Sequence, residues 1–403
     1  MSRDPGLFLL LLALSGPAAA AAPPQVGRAP IDWSEALARS EMARVGSSLA
    51  YGGGPNARWT YTMGFFAHAL EELGNATRNH DFSDFGSRLV DSFVAPDGSI
   101  RTYRAAEYSL DEILPGRALL DQDPSAAGPR IRKAEDLLRH QLSRQPRTPE
   151  GAFWHKGIYP MQMWLDGLYM AGPFYAAYGR RYADSAALSD ARRQLILADQ
   201  HLYDPSSGLY FHAWDSSRRR PWADPASGHS PSFWGRALGW YAMAVADEIG
   251  DLGGGPPLPG IYRRIAAGIV RWQDKPTGVW WQVVDQGGRA GNYRESSASC
   301  MFVYALSKGV NEGYLRREPN SAAARRGFDG ILHAFVTVSP DGSVSLGGCC
   351  GVAGLDNRNA AGAKRDGSYG YYVSEPIAEN DLKAVSAFIL AGIELQRMTA
   401  PSQ

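Results

Sequence analysis

The chain of 403 residues is poor in cysteine, has no net charge and carries no long apolar run beyond its first residues. Each shortage removes a class of protein. The three cysteines are Cys300, Cys349 and Cys350. An odd number with two adjacent is not a disulfide framework, and neighbours in sequence lack the short spacer of zinc-site pairs. All three are expected to be buried as small apolar side chains. Lys+Arg and Asp+Glu both total 41, so no basic stripe is there to meet nucleic acid. An anionic ligand must then be met by local cations inside a pocket. No HExxH, EF-hand loop or nucleophile elbow with a Ser/His/Asp set occurs, and the Gly-rich stretch 347–355 lacks phosphate-loop spacing. Nothing in the sequence requires a metal or a cofactor.

The one apolar run, Leu7 to Leu14, follows Arg3 and precedes a Ser-Gly-Pro break and an exit at Ala18–Ala22. It is too short for a membrane span, and this order marks a signal peptide over residues 1–22, cleaved after Ala20 or Ala22. A periplasmic or secreted protein is expected, out of the membrane after cleavage, with residues 23–403 forming one domain.

What the sequence does have is helical pattern punctuated by Gly, Pro, Asn and Asp. The spacing predicts helices near 33–48, 59–73, 81–93, 109–120, 129–142 and 160–178. Six more are predicted near 185–200, 232–249, 258–272, 294–313, 321–334 and 378–396. Helices spread through the whole chain, with little strand between them and joined by loops of uneven length, suggest an all-α (α/α)6 barrel of about six hairpins, its inner helices covered on nearly all sides and its outer helices polar on one face. A solenoid of helix pairs is the alternative, but no fixed-period motif is present.

The segment from Tyr159 to Tyr175 is apolar on nearly every helical face and carries one carboxylate, Asp166. In such surroundings a carboxyl tends to keep its proton, which is what a general acid needs. A buried Asp held by structural partners fits the same periodicity. Trp164, two residues earlier, borders the same cavity. Asp111 lies in Ser109-Leu-Asp-Glu, a capping-box pattern, and on pattern alone it belongs to a helix start. From His212 to Tyr241 the chain places Trp214, Trp222, Trp234 and Trp240 beside Arg236 and His212. Indoles suit the apolar faces of sugars, and a guanidinium four residues from Trp240 suits a carboxylate. Each Trp taken singly reads as packing; the cluster points to a site. Lys156 lies just before the Asp166 segment and within reach of the same cavity. His212 serves equally as a hydrogen-bonder within its loop.

Five segments, in order, carry a resemblance: Met161-Gln-Met-Trp-Leu-Asp-Gly-Leu-Tyr, His212-Ala-Trp-Asp, Ser230-Pro-Ser-Phe-Trp-Gly-Arg-Ala-Leu-Gly-Trp-Tyr, Gly291-Asn-Tyr-Arg-Glu-Ser-Ser-Ala-Ser and Tyr372-Val-Ser-Glu-Pro. Together they resemble the unsaturated rhamnogalacturonyl hydrolases of glycoside hydrolase family 105. The resemblance runs from about Trp59 to the last helix. It implies an (α/α)6 barrel that hydrates the C4=C5 bond of a terminal unsaturated uronate left by a polysaccharide lyase. It also implies Asp166 as acid/base and Asp111 as the second active-site carboxylate. Substrate contacts are implied at Lys156, Trp164, His212, Arg236 and Trp240, with Trp234 and Tyr61 on shorter motifs. The expected partner is an unsaturated pectin-type oligosaccharide, with the same chemistry on ulvan or glycosaminoglycan fragments as one rival. A non-catalytic exported saccharide-binding protein is the other.

Overall fold

The computed structural model describes residues 27–46, 57–122, 124–358, 362 and 364–399, with 124–127 by backbone alone. The expected signal peptide lies outside the described residues. Along the chain run α1 (Pro30–Val45), α2 (Tyr61–Thr77), α3 (His80–Asp91), α4 (Pro115–Asp121), α5 (Pro124–Arg144), α6 (Leu165–Arg181) and α7 (Ser185–Leu202). They are followed by α8 (Gly235–Glu248), α9 (Leu258–Arg271), α10 (Ser296–Asn311), α11 (Arg317–Phe335), α12 (Tyr369–Ser374) and α13 (Leu382–Thr399).

Six of these helices form a closed inner ring. α2 packs on α4, α4 on α6, α6 on α8, α8 on α10, α10 on α13, and α13 returns to α2. The others lie outside: α1 on α13, α3 on α2, α5 on α4 and α6, α7 on α6, α9 on α8 and α10, α11 on α10 and α13. This is the (α/α)6 barrel, with α12 as a short addition. Burial follows the two roles. Outer α3 buries one face, Phe82, Phe85, Gly86, Leu89 and Val90, at helical spacing. Inner α8 is buried almost all round and is rich in Ala and Gly, which lets neighbouring helices approach. A Cβ on Gly239 would lie 2.7 Å from Met301 Sδ, so this crossing is tight enough to require glycine.

Two predicted helices begin later than expected. In the stretch 109–120 the chain makes a single 3-10 turn, Leu110–Glu112, and α4 starts only at Pro115, whose missing N–H suits a first helical position. The capping box does not form. Ser109 caps nothing with its side chain, and Glu112 Oε2 instead accepts the Arg104 backbone N–H at 3.0 Å. In 160–178 the first residues are extended: Gln162–Trp164 pairs antiparallel with Ala213–Asp215, and α6 starts at Leu165. Asp166 therefore sits in the first turn of a helix, not inside a long one. At the last helix, Asp381 Oδ1 accepts the Lys383 N–H at 3.0 Å, which caps the helix start. Among the described residues no helix is long and apolar enough to cross a membrane.

Candidate active site

A cleft opens where the inner helices begin. Tyr61 from α2, Asp166 and Met170 from α6, and Arg236 and Trp240 from α8 line it, together with Asp111, His155, Lys156, Tyr159, Trp164 and Trp234 from the loops before those helices. The chain from 352 to 365 closes one side with Val352, Ala353, Gly354, Asn357 and Arg365. Helix N-termini present unpaired N–H groups and positive dipole ends, so this end of the ring favours an anion.

Asp166 faces the cleft with 15% of its side chain exposed, so it is not sealed in apolar contacts as the greasy segment suggested. Its Oδ2 lies 3.0 Å from His212 Nε2, without the alignment of a full hydrogen bond. The other ring nitrogen, Nδ1, meets Tyr372 Oη at 2.6 Å. His212 is fully buried and is not part of the cleft wall. The substrate contact expected of it is therefore corrected: it stands behind Asp166, held in place by Tyr372.

Asp111 reaches the cleft because the 3-10 turn points it away from α4. It forms an ion pair with Lys156 Nζ, and His155 Nε2 lies 3.4 Å from its other oxygen. Burial is the largest single influence and works against the Asp111 charge, but the Lys156 ammonium, as charge and hydrogen-bond donor, and His155 together hold the carboxyl below its ordinary range. Burial also pushes His155 down to about 4, so this ring is neutral near pH 7. Lys156 lines the cleft as expected, and one of its jobs is to keep Asp111 ionised.

Arg236 lines the cleft but is not a free fork. Its Nε donates to Ser297 Oγ at 2.8 Å, and its Nη2 donates to the Cys350 carbonyl, with Cys349 Sγ and Glu295 Oε1 each 3.4 Å away. Its Nη1 approaches the Gly351 carbonyl at 3.5 Å. Glu295 in turn caps α10 through the Ala298 N–H at 2.6 Å. The open bidentate grip expected of Arg236 is thus largely taken up inside the protein. The Cys349-Cys350 doublet, buried and free as expected of all three cysteines, forms a short ribbon with Ile377–Ala378 whose carbonyl and sulfur hold this guanidinium.

The aromatic walls are stacked. His155 and Tyr159 lie side by side against Trp164, with ring centroids 4.6 and 4.7 Å from the indole and 6.3 Å from each other, and Trp164 Nε1 donates to Gln162 Oε1 at 2.9 Å. Trp240 stacks on Tyr169 at 5.0 Å and meets Tyr61 edge-on at 6.3 Å. Trp234 stacks on Tyr372 at 5.6 Å and donates to Gln282 Oε1 at 3.2 Å. Trp214 and Trp222 fall outside the cleft: the first stacks on His201, and the second donates to Asp356 Oδ1. Sequence reasoning passed over His155, Tyr159, Asn357 and Arg365. The neighbour position of His155 to Lys156 was a usable signal; the others come from irregular chain with none.

Among the described residues one group has the geometry to hold a metal ion, and it is elsewhere: His68, Glu72 and Asp121, with ligand atoms within 4.8 Å of one another. There His68 Nδ1 at 2.7 Å and Arg117 already occupy both Asp121 oxygens.

Comparison with known proteins agrees with this geometry. The family described as Glycosyl Hydrolase Family 88 matches residues 33–399. A solved glycoside hydrolase of family 105 from C. acetobutylicum is 38% identical, with a TM-score of 0.84 over 90% of this chain and 99% of that one. Protein Atu3128 of Agrobacterium fabrum is 39% identical over 231 residues, which is 56% of this chain and 97% of that protein. The unsaturated rhamnogalacturonyl hydrolase YesR of Bacillus subtilis is 28% identical over 259 residues, 62% of this chain and 70% of that protein. The chain belongs to the unsaturated uronyl hydrolases of glycoside hydrolase families 88 and 105.

Proposed function

We propose that this protein removes a terminal 4,5-unsaturated galacturonate from lyase-generated rhamnogalacturonan oligosaccharides. In this reading Asp166 delivers a proton to C4 of the enol ether, and positive charge develops at C5 and the ring oxygen. Water adds at C5, its proton returning to the Asp166 carboxylate, and the hemiketal opens to a keto-uronate and the shortened saccharide. Positioned proton transfer of this kind is worth about 10²–10⁴-fold. The observation that carries the reading is the pairing of two unlike carboxylates in one cleft. Asp111 is fixed as an anion by Lys156, while Asp166 faces open space with only His212 at 3.0 Å among the described residues. A saccharide-binding module has no use for that difference. The second-carboxylate spacing rule of ordinary glycosidases does not apply, because the attack is on C5 and not on the anomeric carbon.

Galacturonate and glucuronate differ at C4, and lyase elimination erases that centre. The unsaturated ring is then the same whichever acid it came from, so the choice of pectin over other fragments falls to the next sugar and its linkage. The likeness to YesR along 62% of the chain supports rhamnogalacturonan. Incubation with an unsaturated rhamnogalacturonan disaccharide should abolish the ultraviolet absorbance of the conjugated acid, and in deuterated water the label should appear at C4. Label absent from C4 in a reaction that still releases sugar would replace hydration by displacement at the anomeric carbon.

A further inference from the structure

We infer that Arg365 is the residue that receives the carboxylate of the unsaturated uronate, a role that rests on the reading of the cleft as a uronide site. A uronate needs a cation whose donors are open, and three cationic side chains line the cleft: Lys156, Arg236 and Arg365. Lys156 is bound to Asp111. Arg236 is 2% exposed, with Nε and Nη2 engaged by Ser297, Cys350, Cys349 and Glu295.

Arg365 is arranged differently. Its Nε faces Glu375 Oε1 at 3.2 Å, deep in the wall, where the Glu375 side chain is 1% exposed. The other edge of the guanidinium is turned toward Gly354: a Cβ built on that glycine would lie 3.7 Å from Arg365 Nη1 and 3.4 Å from the Trp164 ring. The missing Cβ of Gly354 therefore leaves a gap about one atom thick between the Trp164 ring and Arg365 Nη1, two groups that line the same cleft, so a ligand carboxylate in the cleft can reach the guanidinium beside an aromatic face. The backbone there is fixed. The Arg365 N–H donates to the Asn357 carbonyl at 2.8 Å, and the Asp356 N–H donates to the Arg365 carbonyl at 3.0 Å. The Asp356 side chain accepts from Trp222 Nε1 at 2.9 Å and from Gln162, the residue that also holds Trp164. Glu375 behind and this clamp in front set the fork before any ligand arrives, which limits the ordering cost of binding.

The test separates binding from turnover. In an Asp166→Asn background, quenching of the cleft tryptophans reports the affinity for the unsaturated disaccharide and for the methyl ester of its uronate. Without Arg365 substitution, esterification should weaken binding about 10–100-fold, the worth of a charge-assisted bidentate contact. Arg365→Gln combined with Glu375→Gln, which leaves no orphaned buried charge, should bind acid and ester alike, and Arg365→Lys should restore part of the preference. If the double variant still prefers the acid as strongly, the assignment is overturned. It is overturned as well if the variant loses affinity only for substrates whose second sugar is sulfated or acidic. Because the readout is binding, absence of turnover by the unmodified protein would count against the hydrolase reading and leave the Arg365 result standing by itself.

Discussion

At the C-terminal ends of the inner helices, Asp247 accepts from Lys308 Nζ at 2.7 Å, Tyr304 Oη at 2.6 Å and Tyr169 Oη at 3.0 Å. At the N-terminal ends Asp166 has, among the described residues, no aligned partner for its Oδ2, only the His212 ring at 3.0 Å. Both carboxylates belong to the same ring of helices. The floor surrounds its acid with donors and closes it off; the cleft leaves its acid with room for something that is not protein. A buried charge that is fully met is part of the framework, because removing any partner leaves the rest unpaired. A carboxyl group met in part and facing a cavity does little for the framework and is free for chemistry.

That contrast makes opposite forecasts for the two ends. Asp166→Asn should lower kcat by about 10²–10⁴-fold while leaving the melting temperature nearly unchanged. Lys308→Met should do the reverse. It takes the cation from Asp247, whose carboxyl is held below its ordinary range by Lys308 against the cost of burial, leaving a buried charge with neutral donors only, and should cost about 3–5 kcal/mol of stability while activity per folded molecule persists. Calorimetry and initial rates on both variants decide the matter. A destabilised Asp166→Asn together with a silent Lys308→Met would dissolve the distinction between the two ends.

The floor contains one exception. Glu248, last residue of α8, is buried with neither carboxylate oxygen hydrogen-bonded among the described residues, and Gly172 makes room for it: a Cβ there would lie 1.9 Å from Oε1. Burial, with Asp247 and Asp251 nearby, pushes its carboxyl well above the ordinary value of 4.5. The folded state keeps a proton that the unfolded chain releases, so stability falls as pH rises above that ordinary range, by about 1.4 kcal/mol per pH unit until the folded group ionises. Glu248→Gln removes this slope. Its melting temperature should match that of the parent near pH 4 and exceed it increasingly toward pH 8; parallel curves would mean that Glu248 is charged and met in some other way.

How much of this could be read from sequence differs between the same two levels. The ring itself was legible because helices such as α3 and α9 repeat apolar residues at helical spacing: Ile261, Tyr262, Ile265, Ala266 and Ile269 form the buried stripe of α9. Asp166 was legible as the lone acid of an apolar segment, though its true place, the first turn after an extended Trp164, was hidden because strand pairing with Ala213–Asp215 is set by chain about fifty residues away. The orientation of Asp111 was masked by a plausible capping box that Pro115 and the Arg104 N–H undo. The occupation of Arg236 by Cys349 and Cys350 spans 113 and 114 positions, and no local rule carries that far. Arg365 lies in chain without period, where sequence pattern has nothing to count.

The finest test concerns the one neighbour Asp166 does have. Tyr372 Oη meets His212 Nδ1 at 2.6 Å, and if the hydroxyl donates there, Nε2 must carry the hydrogen that points at Asp166. Tyr372→Phe keeps the ring and its stack on Trp234 and removes that instruction, so His212 becomes free to take either tautomer. A drop in kcat/KM of about fivefold, the worth of about 1 kcal/mol, is expected with KM little changed. A packing defect would lower the melting temperature and leave activity per folded molecule alone. Loss of the tautomer constraint would instead lower kcat at an unchanged melting temperature, because the ring that it orients stands 3.0 Å from the Asp166 carboxylate. An unchanged kcat would reduce Tyr372 to a packing residue and leave His212 to be oriented by its burial alone.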